Sequence, residues 1–472
     1  MSGKSTVERT LGNFARACAG RLEGGDRAFA AVSSDSRSLA AGDLFVALHG
    51  PRFNGNEFVS AALAAGAAGA VVDAPQPVAL AQIVVADTQA ALSRAGNAWR
   101  EACDIPVLGV AGSNGKTTAK EMTAAILSRA GTTLATRGNL NNHIGVPLTL
   151  LRLEPAHRFA VIEMGANRAG EVAELVKVAR PTVGLITNAG AEHLEGFGSL
   201  EGVARAEGEM VAGLAPEATA VLNADDEFVY LWRGMTAARV VTFGIASAAD
   251  FRASDLRTTL SAEGFRTCFR FSSPLGKADI ELHVGGRHNV ANALGAAAAA
   301  AAAGATLEHI VTGLGAMRAV PGRLQLKQAA CGAWIIDDSY NANPSSVRAG
   351  IEVLASIEGR RWLVLGDMAE LGDFAEDAHA QIGAFAREHG IERLLATGPL
   401  AALAVERFGT GGQWFPETEA LTRELLRALS PSGTGGGPAA SVRILVKGSR
   451  VNRLERVVAA LVGNNNDNPG GH

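Results

Sequence analysis

Val107-Leu108-Gly109-Val110-Ala111-Gly112-Ser113-Asn114-Gly115-Lys116-Thr117-Thr118 runs from an apolar segment with β-branched residues into a glycine-rich turn and then into a helix opening at Lys116. A strand that feeds a turn and a helix in this way leaves backbone N–H groups free to wrap phosphate oxygens. Gly112, Ser113, Asn114, Gly115 and Thr118 are therefore candidate phosphate contacts. Lys116 would neutralise the β- and γ-phosphates of a nucleotide, and the Thr117 hydroxyl is placed to bind Mg²⁺. The common P-loop spacing would require a glycine at position 110, where this chain has Val110, so the loop departs from that pattern.

Outward from this loop the chain alternates short apolar runs with helical stretches. Residues 106–110, 159–163, 183–187, 220–223 and 240–243 read as strands of a largely parallel sheet. A second series, 333–337, 362–366, 394–397 and 443–446, predicts a separate doubly wound domain. Before residue 105 lie a polar Ser33-Ser34-Asp35-Ser36-Arg37 segment, a strand at 44–48 and glycines at 50, 55, 66 and 69, which suit a small α/β recognition domain. The expected division is 1–103, a central domain 104–322, a C-terminal domain 323–462 and a disordered tail 463–472. The fold class is α/β in three domains: a small N-terminal α/β domain, a central parallel-sheet nucleotide-binding domain and a C-terminal Rossmann-like domain.

At 472 residues the chain is long enough for about three domains at roughly 150 residues each. Its 43 Lys and Arg against 47 Asp and Glu give a net charge of −4, which argues against a nucleic-acid partner. Cys18, Cys103, Cys268 and Cys331 are too scattered for a zinc site or a disulfide framework and read as thiols in a reducing cytoplasm. Residues 1–9 lack the apolar core of a signal peptide. The alanine run 296–303 is too short and too weakly apolar to span a bilayer and reads as a buried helix. A cytoplasmic monomer without membrane insertion is expected.

Glu163 closes the apolar run Ala160-Val161-Ile162-Glu163, where a carboxylate is costly in the core but useful at the carboxyl edge of a parallel sheet. It reads as a magnesium ligand or as a capping or ion-paired residue. His193 follows another strand onto the same edge, as a ligand or as an ordinary surface or core histidine.

Together with these, Gly138-Asn139-Leu140-Asn141-Asn142-His143-Ile144-Gly145-Val146-Pro147, His193-Leu194-Glu195-Gly196-Phe197-Gly198, Asn223-Ala224-Asp225-Asp226, Asp337-Asp338-Ser339-Tyr340-Asn341-Ala342-Asn343-Pro344 and Leu445-Val446-Lys447-Gly448-Ser449-Arg450 resemble the Mur ligase family. The Ser-Tyr-Asn-Ala-Asn-Pro segment resembles in particular the branch that adds D-alanyl-D-alanine, and the likeness runs from about Ser33 to Val458. It implies an ATP- and Mg²⁺-dependent ligase that joins D-alanyl-D-alanine to UDP-N-acetylmuramoyl-tripeptide through an acyl phosphate. The N-terminal domain would hold the UDP end, the central domain ATP and the C-terminal domain the dipeptide.

By the same resemblance Lys116 and Thr117 would hold triphosphate and magnesium, Glu163 the first magnesium and His193 the second. Asn223, Asp226, Asn289 and Asn292 would surround adenine and ribose. Arg323, Asp338, Tyr340, Asn341 and Asn343 would reach the nucleotide from the C-terminal domain. Ser36, Arg37, Asn139 and Asn142 would face the UDP-sugar peptide, with Lys447 and Arg450 nearer the dipeptide.

One position departs from the family. A lysine modified to a carbamate is usual fourteen residues after the histidine matched by His193, and here that position is Glu207. The Glu207 carboxylate is expected to supply that negative charge directly, helping His193 hold the second magnesium through a water, the alternative being an ordinary helix-surface glutamate. The nearest alternatives, ligases adding a single amino acid or a folate glutamate, share the phosphate loop and the magnesium residues and would differ in the C-terminal pocket. An ATP-driven switch that makes no bond would need no separate amine site.

Overall fold

A computed structural model describes residues 8–51, 53–261, 263–430 and 439–463. Most of the expected tail, from 464 on, lies outside the described residues, as do residues 1–7.

Three principal sheets are stacked along the chain. The first has five strands in the order Arg21–Glu23, Gln82–Val84, Gly69–Val72, Leu44–Val46, Val32–Ser33, parallel except for its first pair. Phe14, Phe29 and Trp99 pack ring against ring beneath it. The closing helix Thr88–Glu101 is capped by Asp87, whose carboxylate accepts from the Gln89 and Ala90 N–H groups. Its Arg100 donates to the Ala179 carbonyl at 3.0 Å, tying this unit to the next.

The second sheet has nine strands. Thr133–Ala135, Phe159–Glu163, Val107–Ala111, Val183–Ile186, Thr219–Asn223 and Arg239–Gly244 run parallel, and the strands expected from the sequence fall among them. Their near-complete burial follows from helices on both faces. Beyond them lie three long strands, Phe251–Ser261, Gly264–Ser273 and Gly276–Leu282, paired antiparallel to one another, which were not anticipated. They keep one face wet: Phe265, Thr267, Phe269 and Phe271 are buried while the residues between them are more exposed.

The alanine run forms the core of the helix Arg287–Ala302, with Ala296 to Ala300 at most 1% exposed. This helix and Leu307–Ala316 pack on Lys116–Ala130, the helix that follows the phosphate loop. The contact is close: a Cβ on Gly313 would lie 2.5 Å from Ile126 Cα. Gly313→Ala is therefore expected to cost about 1–3 kcal/mol by overpacking, read as a lower denaturant midpoint. An unchanged midpoint would show that the helices can part freely.

The third sheet orders its strands Gln325–Gln328, Trp334–Asp338, Val442–Lys447, Arg360–Leu365, Arg393–Thr397, Gly412–Phe415, all parallel after an antiparallel first pair. Among the described residues no helix is long and apolar enough to cross a membrane.

Candidate active site

The carboxyl edges of the second and third sheets face each other across a cavity of about 630 Å³. Its floor is the phosphate loop. Gly115 has φ +82°, and a Cβ there would come within 2.3 Å of Asn292 Oδ1, so both the turn and its packing require glycine.

The backbone donors of the loop are unevenly employed. Gly112 N–H donates to Glu207 Oε2 at 2.6 Å, Ser113 N–H to the Asn188 carbonyl at 2.9 Å and Asn114 N–H to Asn188 Oδ1 at 3.0 Å. The groups left to face a phosphate belong to the first turn of the helix Lys116–Ala130, where no preceding carbonyl can receive them. The phosphate cradle is thus narrower than the whole glycine-rich turn, because the first half of the turn is consumed by its own support.

Lys116 Nζ lies 2.5 Å from the Gly112 carbonyl, 3.0 Å from that of Ser113 and 3.1 Å from Glu192 Oε1. Burial pulls its pKa down, but Glu192, Glu207 and Glu163 outweigh that and hold the ammonium above its ordinary value. Glu163 is 2% exposed; its Oε1 accepts from Thr117 Oγ1 at 3.2 Å and Asn141 Nδ2 at 2.9 Å. Its buried Oε2 has no hydrogen-bond partner among the described residues. An orphaned carboxylate oxygen beside a hydroxyl and a phosphate cradle suits a hard cation. No group of three or more His, Cys, Asp or Glu among the described residues could hold a metal by itself. Magnesium needs no such cage, since one or two carboxylates, phosphate oxygens and water satisfy it.

His193 is paired through Nδ1 with Glu370 of the third-sheet unit. Glu207, only 3% exposed, is not the surface residue of the alternative reading. Its oxygen is directed at the phosphate loop rather than shared with the His193 ring. Burial pushes its carboxyl up to about 7, with Lys116 opposing and Glu192 adding to the rise. The two donors expected to share a second magnesium thus have different neighbours.

The third-sheet unit closes the cavity through a few polar contacts. Arg323 Nη2 reaches Thr117 Oγ1 at 3.0 Å, and its guanidinium lies over the Tyr340 ring at 4.4 Å. Asn343 caps the helix Pro344–Ala355, its Oδ1 accepting from Ser346 N–H at 2.9 Å. Its Nδ2 donates to Asn114 Oδ1 at 2.8 Å and to Glu192 Oε2 at 3.4 Å. Asp338, Asn341, Asn139, Asn142, Asn289 and Asn292 also line the cavity.

Other expected residues take different positions. Asn223 donates to the Thr187 carbonyl and Asp226 accepts from Ala189 N–H, so both brace the segment behind the loop rather than line the cavity. Ser36 and Arg37 lie on the first unit, outside the cavity lining, with Arg37 paired to Asp35 at 2.7 Å. Lys447 lines the cavity but is 3% exposed, with Nζ 2.6 Å from Asp338 Oδ2 and 3.0 Å from the Asn341 carbonyl. The Arg450 guanidinium also lies over the Tyr340 ring, 5.6 Å from its centroid.

Glu192, Glu370 and His288 were not singled out from the sequence. Their neighbours His193 and Asn289 marked two of the segments, but nothing local marked Glu370. Burial lowers the His288 pKa to about 4, with Asp338 raising and Lys447 lowering it. Its folded value is below the unfolded 6.5, so the unfolded chain binds more protons between those values. The stability it contributes is full above pH 6.5 and is lost as pH falls toward 4. His288→Asn should flatten the pH dependence of the denaturant midpoint over that window relative to wild type; parallel curves would place the imidazole in water.

Three family models match in chain order: the Mur ligase family catalytic domain over residues 29–114, the Mur ligase middle domain over 110–300 and the Mur ligase glutamate ligase domain over 322–450. The UDP-N-acetylmuramoyl-tripeptide–D-alanyl-D-alanine ligase of Escherichia coli (strain K12) is 43% identical over 96% of this chain and 98% of its own. The ligase of the same name from Bacillus subtilis (strain 168) is 34% identical over 97% and 99%. Among solved structures, MurF from Acinetobacter baumannii superposes with a TM-score of 0.88 at 35% identity, covering 96% of this chain and 98% of that one. MurF ligase from Thermotoga maritima in complex with ADP gives 0.80 at 26% identity, over 92% and 97%.

Proposed function

The chain belongs to the Mur ligase family, and from that premise we propose how its residues carry the reaction. It is an ATP-dependent ligase that adds D-alanyl-D-alanine to UDP-N-acetylmuramoyl-tripeptide in peptidoglycan precursor synthesis. The observation that carries the mechanism is the meeting of Lys116, Thr117 and Glu163 with Arg323 and Asn343 across one cavity.

A carboxylate is a poor electrophile, so the tripeptide's terminal carboxylate first attacks the γ-phosphorus, releasing ADP and forming an acyl phosphate. Lys116 and the N–H groups at the start of its helix hold the transferring phosphoryl group in line. Thr117 and Glu163 would hold magnesium, with His193 available to a second ion. Bound there, magnesium would offset negative charge on the transferring phosphoryl group. The dipeptide amine then attacks the acyl carbon; the nitrogen loses a proton and the tetrahedral intermediate expels phosphate. Arg323, Asn343 and the Glu370–His193 pair keep the cleft shut, excluding water from the acyl phosphate.

Residues 1–103, with Ser36 and Arg37, take the UDP end, 104–322 ATP, and 323–462 the dipeptide, with Lys447 and Arg450 on its side of the cleft. Asn139 and Asn142 face the sugar peptide. The reaction proceeds on soluble substrates in the cytoplasm.

The test is phosphate release from ATP with the UDP-linked tripeptide, comparing D-alanyl-D-alanine, single amino acids and no amine. Release that requires the dipeptide supports the reading. Release with a single amino acid moves the chain to a sister branch, and release indifferent to amine makes it an ATPase.

A further inference from the structure

Gly112 is held at both ends by side chains. Its N–H is held by the Glu207 carboxylate at 2.6 Å and its carbonyl by the Lys116 ammonium at 2.5 Å. The residue has φ +119°, and a Cβ would lie 2.2 Å from Thr187 Oγ1, so the backbone has little room to shift. The anchors of Ser113 and Asn114 both come from Asn188. The anchor of Gly112 comes from a different element, the helix Leu200–Ala212, packed beneath the strands Val107–Ala111 and Val183–Ile186. Glu207 is buried there, and a hydrogen bond from an amide to a buried carboxylate is among the stronger kinds.

We propose that Glu207 is a positioning residue of the phosphate loop: by fixing Gly112 it sets the register in which the Lys116 ammonium and the N–H groups of the following helix meet the triphosphate. Its role is exerted through the loop backbone, before any metal binds. Lys116 is held by the Gly112 and Ser113 carbonyls, so a slip of the loop start carries the ammonium with it. Binding energy is lost at the nucleotide and not at the sugar-peptide or dipeptide. The inference rests on the reading of this loop as the ATP site.

The experiment measures binding of a fluorescent ATP analogue to the full chain in EDTA and again in excess magnesium, using wild type, Glu207→Gln, Glu207→Asp and Glu207→Ala. Binding of UDP-N-acetylmuramoyl-tripeptide to each variant reports the fold. Glu207→Ala removes the acceptor and should weaken the nucleotide in EDTA by ~10-fold or more, the equivalent of one charge-assisted hydrogen bond. Glu207→Asp withdraws the acceptor by one methylene and should lose most of that. Glu207→Gln keeps an oxygen at the same reach and should stay within ~3-fold of wild type. Unchanged nucleotide affinity of Glu207→Ala in EDTA, with a loss only when magnesium is present, would overturn the proposal and give Glu207 to the metal. Equal weakening of both ligands, or Glu207→Gln as poor as Glu207→Ala, would overturn it too. Failure of wild type to bind the analogue would instead sink the ATP-site reading itself.

Discussion

Replacing Lys116 with alanine is expected to lower kcat for dipeptide-dependent phosphate release by about 10²–10³-fold. The ammonium is the cation that the loop itself supplies, and it sits among three carboxylates that raise its pKa: Glu192, Glu207 and Glu163. Truncation therefore does more than remove a donor. It leaves those carboxylates facing a polyanionic nucleotide, so the KM for ATP should rise together with the fall in kcat. The KM for the UDP-linked tripeptide should move little. A loss of less than tenfold, or one confined to KM, would mean that Lys116 binds ground state and transition state equally and contributes nothing special to transfer.

Lys447→Met is expected to destabilise the third-sheet unit by about 1–3 kcal/mol, because it strips the Asp338 carboxylate, only 13% exposed, of its cation. Asp338 is left with the Leu324 N–H at 3.1 Å as its remaining named donor, since Lys447 Nζ at 2.6 Å is gone. Adding Asp338→Asn should recover much of the loss, since the penalty lies in the unpaired charge rather than in the absent pair. The readout is the denaturant transition of each variant. Unchanged stability with a raised KM for D-alanyl-D-alanine would return Lys447 to the dipeptide site, where the sequence reading had put it.

The difference between those two lysines shows what a sequence can disclose. Lys116 was legible because strand, glycine turn and helix are consecutive, and local geometry alone makes them a phosphate cradle. Lys447 was placed near the dipeptide from its motif alone, and its bond to Asp338, 109 residues away, could not be read there. Glu207 was noticed only as a departure from a pattern; that it serves the loop follows from a bond to Gly112 across 95 positions. Glu192 and Glu370 acquire their roles where two units meet, which no single-segment reading can reveal. The parallel strands were legible as buried apolar runs. The three antiparallel strands from Phe251 were overlooked although Phe265, Thr267, Phe269 and Phe271 recur at every second residue or so, the period of a half-buried strand. Attention to continuous apolar runs hid an alternating one.

Asn343 divides one amide between two tasks. Its oxygen starts a helix within its own domain, while its nitrogen grips Asn114 and Glu192 across the cleft. Parting the cleft costs the nitrogen its partners and leaves the oxygen's bond intact, so the helix Pro344–Ala355 need not fray when product leaves. The bonds that join the two units and the bond that starts the helix thus use different atoms, and one set can be lost without the other. The contact that fastens the two units is therefore distinct from the contact that holds the helix together, although one side chain supplies both.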